Sequence, residues 1–168
     1  MNSAMTNAAI VADSSPLIAL AIIQQLDLLP QIYPQVLIPP AVWEEVTIKG
    51  IGLPGAQAVS QVTWLTLQAP EPGILEPLLI LVDRGEAEAI ALAQAIPNST
   101  VLLDDAQARR VAERLTLRRI GTLGILRRAK KAGLIAALQP YIQTLQANGI
   151  YIRRSLIKAI LRDVGELD

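Results

Sequence analysis

The chain has 168 residues, 52% hydrophobic, 18% charged and 3% aromatic, which suits one domain with a large aliphatic core and excludes wholesale disorder. It contains neither cysteine nor histidine, so disulfides, thiolate metal sites, imidazole general bases, Ser-His triads and histidine-liganded zinc or iron are excluded. The formal net charge is zero, yet residues 1–105 carry eleven acids and two bases while residues 106–168 carry thirteen bases and four acids. That asymmetry is expected of a protein that meets an anionic partner, nucleic acid among the candidates.

Residues 1–9 read as a flexible tail ahead of a single domain over 10–168. Residues 10–12 are a short β-rich run ending on Asp13. Ser15 as N-cap and Pro16 in the first turn then open a helix to about residue 26. Residues 36–38 read as a second strand, and Pro39-Pro40 opens a helix through about Val46. A Gly- and Pro-rich loop over 48–54, a helix over 56–62 and a strand over 63–67 follow, with a connector at 69–73. Helices are expected over 74–82 and 85–95, the second apolar on most faces and therefore buried.

The strongest strand, 100–103, ends on Asp104-Asp105 and leads into a helix over 106–115, a strand over 117–120 and a helix over 122–132. Helices over 135–147 and 155–164 complete the set, with 150–152 as an edge strand. Strands alternating with helices imply an α/β three-layer sandwich around a mainly parallel sheet. No apolar run approaches the roughly 18 residues that a membrane span needs, and the lack of cysteine fits a reducing, cytoplasmic setting.

Two apolar runs that end on aspartate, far apart in the chain, place carboxylates at the mouth of an open α/β sheet, where ligands bind. Further acids lie between them: Glu44-Glu45 on the second helix, Asp83, and Glu86 and Glu88 at the start of a buried helix. Each has an ordinary structural explanation as a cap, a solvated acid or a partner of the helix dipole. Two adjacent acids cannot point the same way, so one of Asp104 and Asp105 enters the crevice and the other caps.

The order of these acids and their local strings resembles the PIN domain superfamily, and most closely a PIN-like branch of small prokaryotic proteins. The strings are Val11-Ala12-Asp13-Ser14-Ser15-Pro16, Ile38-Pro39-Pro40-Ala41-Val42-Trp43-Glu44-Glu45-Val46, Gly85-Glu86-Ala87-Glu88-Ala89-Ile90, Leu103-Asp104-Asp105 with Arg109, and Gly121-Thr122-Leu123-Gly124. The resemblance implies a metal-dependent endoribonuclease, of the type that serves as the toxin of toxin–antitoxin pairs. It implies catalytic roles for Asp13, Glu45, Glu86, Asp104 and Asp105, with Asp13, Glu86, Asp104 and Asp105 holding Mg²⁺ or Mn²⁺. Ser15, Arg109 and Thr122 would support them. Two departures are visible: Glu86 stands where the superfamily usually has Asp, and Leu103-Asp104-Asp105 replaces the usual Thr-x-Asp.

Hard oxygen donors suit such ions, and an ion at clustered carboxylates reverses the local charge that repels a phosphodiester. Arg127, Arg128, Lys130 and Lys131 are the expected contacts to RNA, and the five aromatic residues, Tyr33, Trp43, Trp64, Tyr141 and Tyr151, give little basis for base stacking. Partners expected on this reading are RNA, an antitoxin protein and a second copy of the chain, with no membrane. The alternatives are a PIN-like nucleic-acid- or protein-binding regulatory module with weak or no catalysis, and a receiver-like or phosphatase-like α/β domain. The last fits worse, because its acid pair belongs after the first strand and its lysine after a late one.

Overall fold

β1 (Ala9–Ala12) is buried along its whole length, with Ile10 and Ala12 turned into one apolar layer and Ala9 and Val11 into the other. Burial on both faces is what a central parallel strand requires. In the structure, a computed structural model that describes residues 8–168, β1 pairs in parallel with β2 (Gln35–Ile38) on one side and β4 (Thr100–Leu102) on the other. β3 (Leu65–Leu67) and β5 (Arg118–Ile120) complete an all-parallel sheet in the order β3-β2-β1-β4-β5. Residues 1–7 of the expected tail lie outside the described residues, and Ala9 is already the first residue of β1.

Helices cover both faces, as an α/β sandwich requires. One layer holds α1 (Ser14–Ile22), α2 (Leu28–Ile32), α8 (Thr122–Lys131), α9 (Gln139–Ala147) and α10 (Arg154–Asp163), packed on Ile10, Val36, Ile38 and Leu102. The side chains of α3 (Pro40–Trp43) and α4 (Ala56–Gln61) reach the same layer through Val42 and Val59. The opposite layer holds α5 (Pro72–Leu75), α6 (Arg84–Ala95) and α7 (Ala106–Arg114) against Val11, Leu37, Val101 and Leu103. Among the described residues no helix is long and apolar enough to cross a membrane.

Several elements differ from the pattern-based expectation for identifiable reasons. α1 stops at Ile22 because Gln24 takes a left-handed conformation (φ 56°) and Gln25 N–H reaches back to the Leu20 carbonyl. The Pro40 helix widens after Trp43 into a π-type turn, Glu44–Ile48, closed by Lys49 N–H on the Glu44 carbonyl at 2.8 Å. After α5 the chain tightens into a 3₁₀ turn, Glu76–Ile80, that carries Pro77. α9 begins only at Gln139, since Gly133 (φ 76°) ends the preceding helix and Pro140 fits the first turn of the next. Residues 150–152 form no strand and pair with none among the described residues.

The chain builds outward from β1 through β2 to β3, then crosses back to β4 and β5 on the other side of β1. α1, which follows β1, and α7, which follows β4, therefore leave toward opposite faces. The carboxyl ends of these two strands form the topological switch point, the place where an open α/β sheet has its crevice.

At the far end, Glu166 ties the last helices together. Its carboxylate accepts from Lys130 Nζ at 2.7 Å and from the backbone N–H groups of Leu138 and Gln139 at 2.6 and 2.9 Å. It therefore caps α9 from a distance while pairing with α8. Burial pushes its pKa up, but Lys130 and the two N–H donors outweigh that and hold it below the ordinary glutamate value. Glu166→Ala should lower unfolding stability in urea by about 1–2 kcal/mol, the cost of losing a helix cap. Glu166→Gln should recover part of it, since an amide oxygen still accepts from backbone N–H.

Candidate active site

Acids from four separate segments surround the switch point: Asp13, Glu45 and Glu86 influence one another, and Asp105 reaches Glu86. Asp13 directly follows β1, and its backbone N–H donates to the Leu102 carbonyl of β4 at 3.1 Å, which fixes it between the two strands. It is only 4% exposed. Although it occupies the N-cap position of α1, its side chain caps nothing and points into the crevice region instead. Burial raises its pKa from 3.8 to about 8. The Ser14 backbone N–H opposes that rise, while Glu86, Asp83 and Glu45 add to it by repulsion.

Glu45 comes from the π-type turn and is exposed. Its Oε2 accepts from Ser14 Oγ at 2.7 Å. The serine beneath the turn is thus Ser14, buried at 3% exposure, while Ser15 is exposed in the first turn of α1 and makes no such contact. The helix begins two residues earlier than its cap signals suggest, and this shift puts Ser14 rather than Ser15 beneath the turn. The neighbouring Glu44 faces solvent and pairs loosely with Lys49 at 3.9 Å.

Glu86 opens α6 within a capping box: Asp83 Oδ1 accepts from Glu86 N–H at 2.9 Å, and Glu86 Oε2 accepts from Asp83 N–H at 3.2 Å. Burial, then repulsion from Asp83 and Asp105, raises its pKa from 4.5 to about 7, with Asp83 N–H acting against the rise and Glu45 adding to it. Gly85 keeps the space between the acids open. A Cβ there would stand 3.1 Å from Glu45 Oε2 and 3.5 Å from Asp13 Oδ1.

Asp104 and Asp105 part company. Asp105 is the N-cap of α7, its Oδ1 accepting from Ala108 N–H at 2.9 Å, and it is the one of the pair whose charge reaches Glu86. Asp104 turns toward β5 and accepts from Thr122 N–H at 2.8 Å and from the Thr122 hydroxyl. It caps α8 rather than entering the acid cluster. Arg109 donates to the Leu103 carbonyl at 3.3 Å, and Gly121 leaves room for both groups: a Cβ would stand 2.7 Å from Arg109 Nη1 and 2.8 Å from Asp104 Oδ1.

Two residues outside the expected set shape the site. Glu88, 5% exposed, accepts from the Ala41 N–H at 2.7 Å and pairs with Arg84 at 3.5 Å. It caps α3 from α6 and so fixes the base of the segment that carries Glu45. A buried acid two residues after Glu86, in an alanine-rich helix, was the available signal. Asp83 is the second, through the capping box.

The expected nucleic-acid contacts on α8 are engaged within the protein. Arg127 and Lys131 both pair with Asp163 of α10, Lys130 with Glu166, and Arg128 with the Tyr33 hydroxyl at 2.6 Å, its guanidinium 5.2 Å from the ring centre. These four cations hold α10 and α2 onto α8.

As they stand, no three acids among the described residues lie close enough to form a ready metal-binding group. Their chemistry nonetheless suits a hard divalent ion: all donors are carboxylate oxygens, and Asp13 and Glu86 bear a repulsion that a cation would relieve. Asp13 ionises near 3.8 when unfolded and near 8 when folded. The folded state therefore holds the proton longer, and the stability linked to this group falls as pH rises between those values. In metal-free buffer, Asp13→Asn should melt at least about 3 °C above wild type at pH 8, the effect of about 1 kcal/mol in a chain of this size. The gap should close toward about pH 4, where both side chains are neutral. A gap equal at both pH values would assign it to packing instead.

No curated protein matches the chain. A family model, DUF3368, described as a PIN domain, matches residues 9–166. The match begins at the first residue of β1, spans all the acids of the crevice and ends at Glu166, the carboxylate that joins α8 to α9. Over that span the chain belongs to the PIN domain family DUF3368.

Proposed function

We propose that this protein is a divalent-metal-dependent endoribonuclease whose centre is formed by Asp13, Glu45, Glu86 and Asp105. The PIN domain is a nuclease-type fold, and what carries the reading here is one buried aspartate at the switch point that feels Glu86, Asp83 and Glu45, with Asp105 in turn acting on Glu86. RNA as the substrate, Mg²⁺ or Mn²⁺ as the ion, a cytoplasmic setting and the role of a toxin restrained by an antitoxin protein all belong to this proposal.

Each residue then has a task. Asp13 is held immobile by the β1–β4 pairing, Glu45 is oriented by Ser14, and Glu86 is aligned by the capping box with Asp83. Glu88 ties α3 to α6, so that the segments carrying Glu45 and Glu86 are held together. Asp104 stays with Thr122 and fixes the start of α8 beside the centre. A bound divalent cation would supply the positive charge that offsets these carboxylates and polarises a phosphodiester oxygen.

A second reading is favoured by a specific observation. Glu86 already spends one carboxylate oxygen on Asp83 N–H, and no ready three-acid group exists among the described residues. A binding module with weak or absent catalysis fits that geometry.

Mn²⁺ or Mg²⁺ separates the two. An ion that binds only the folded state should raise Tm by about 5–10 °C at a hundredfold excess over its Kd, and Asp13→Asn should abolish the shift and the cleavage of single-stranded RNA together. A wild-type protein that shows neither shift nor cleavage would favour the binding module.

A further inference from the structure

Beyond β4 the carboxyl edge of the sheet runs into an open groove of about 990 Å³. One wall is α7 with the end of β5, the floor is the start of α8, and the other wall is the stretch 150–153 with the first turn of α10. Asp104, held by Thr122, lines it, so the groove begins one residue along the chain from Asp105.

Two kinds of side chain in this groove lack a charge or stacking partner among the described residues. Arg109, Arg110 and Arg153 line it, and none has a carboxylate partner among the described residues. Arg110 makes only a neutral bond to Gln107 at 2.9 Å. By contrast, Arg119 and Arg127 on the same surface are neutralised by Glu113 and Asp163. Tyr151 is the other: it is 87% exposed, whereas every other aromatic side chain of the protein is buried or half-buried. Ile150 and Ile152 on either side pack against the core, which leaves Tyr151 on the solvent side, where it lines the groove.

A flat ring exposed to water, in a groove that also holds guanidinium groups without carboxylate partners, suits a polyanion whose bases are free to stack. A duplex hides its base faces and a peptide rarely offers regular negative charge. We propose that this groove receives a single strand of RNA, with Tyr151 stacking on one base and Arg110 and Arg153 contacting the flanking phosphates. The proposal rests on the nuclease reading for the identity of the polymer and extends it to the path by which the strand reaches the centre.

The test is fluorescence anisotropy of a short labelled single-stranded RNA with the full chain in EDTA, where cleavage cannot occur. Tyr151→Ala should weaken binding roughly 5- to 150-fold, the range for loss of one stacked base, and Tyr151→Phe should restore it. The double variant Arg110→Ala/Arg153→Ala should lower the log–log salt slope by about 1.4, roughly 0.7 for each phosphate contact. Lys158→Ala, an exposed cation of α10 outside the groove, should leave the affinity within about twofold at ordinary salt. All variants should keep the wild-type Tm. Wild-type affinity in Tyr151→Ala, an unchanged salt slope in the double variant, or equal preference for duplex would overturn the proposal. Cleavage in Mn²⁺ is scored separately. RNA cleavage with Tyr151-independent binding sinks the groove alone, and Tyr151-dependent binding without cleavage sinks the catalytic reading alone.

Discussion

Asp13 sits in a near-complete shield from solvent with other acids close by, an arrangement tolerated only when the backbone around it is held firmly. Its N–H is tied to β4, its neighbour Ser14 is tied to Glu45, and the helix that approaches it from the opposite layer begins with a locked capping box. Each tie is ordinary by itself. Together they prevent the simplest escape from repulsion, which is for the acids to swing apart into water. The raised pKa values of Asp13 and Glu86 are the measure of what the fold withholds. Much of the molecule serves that constraint: the central parallel strands, the reversal of strand order beside β1, and the cap from Glu88 that joins α3 to α6.

The outline of this arrangement is legible in the sequence because its signals are local. A short β-rich run followed at once by a helix start places Asp13 and the Asp104-Asp105 pair at the carboxyl edge, and the alternating faces of β1 follow from side-chain period alone. What is illegible depends on partners far along the chain or on a shift of a residue or two. Whether Ser14 or Ser15 meets Glu45 depends on where α1 begins. Whether Asp104 or Asp105 faces Glu86 depends on Thr122, a hydrogen-bond partner 18 positions away. The π-type turn that carries Glu45 has no sequence signature comparable to a cap or a proline.

The basic half of the chain divides in the same manner. By composition, the cations of α8 are the natural grip for an anion, yet they lie across from Asp163 and Glu166, which come 36 residues later for Arg127 and for Lys130. Cations that look alike in sequence are separated only by what packs opposite them. The outward-facing tyrosine was hidden for a related reason: residues 150–152 have the alternation of an edge strand but find no strand to pair with, so the side chain left outside borders a groove.

Zero formal charge with this internal separation makes the molecule a dipole along the edge of its sheet, acids toward β1 and β2 and arginines toward β5. A polyanion at long range therefore exerts a torque before it exerts a pull, turning the β5 end toward itself. Such orientation acts within about 10 Å in 0.1 M salt and farther in dilute buffer. The same asymmetry lets copies attract end to end near the isoelectric point of about 6.3. Added salt should consequently dissolve this protein rather than precipitate it.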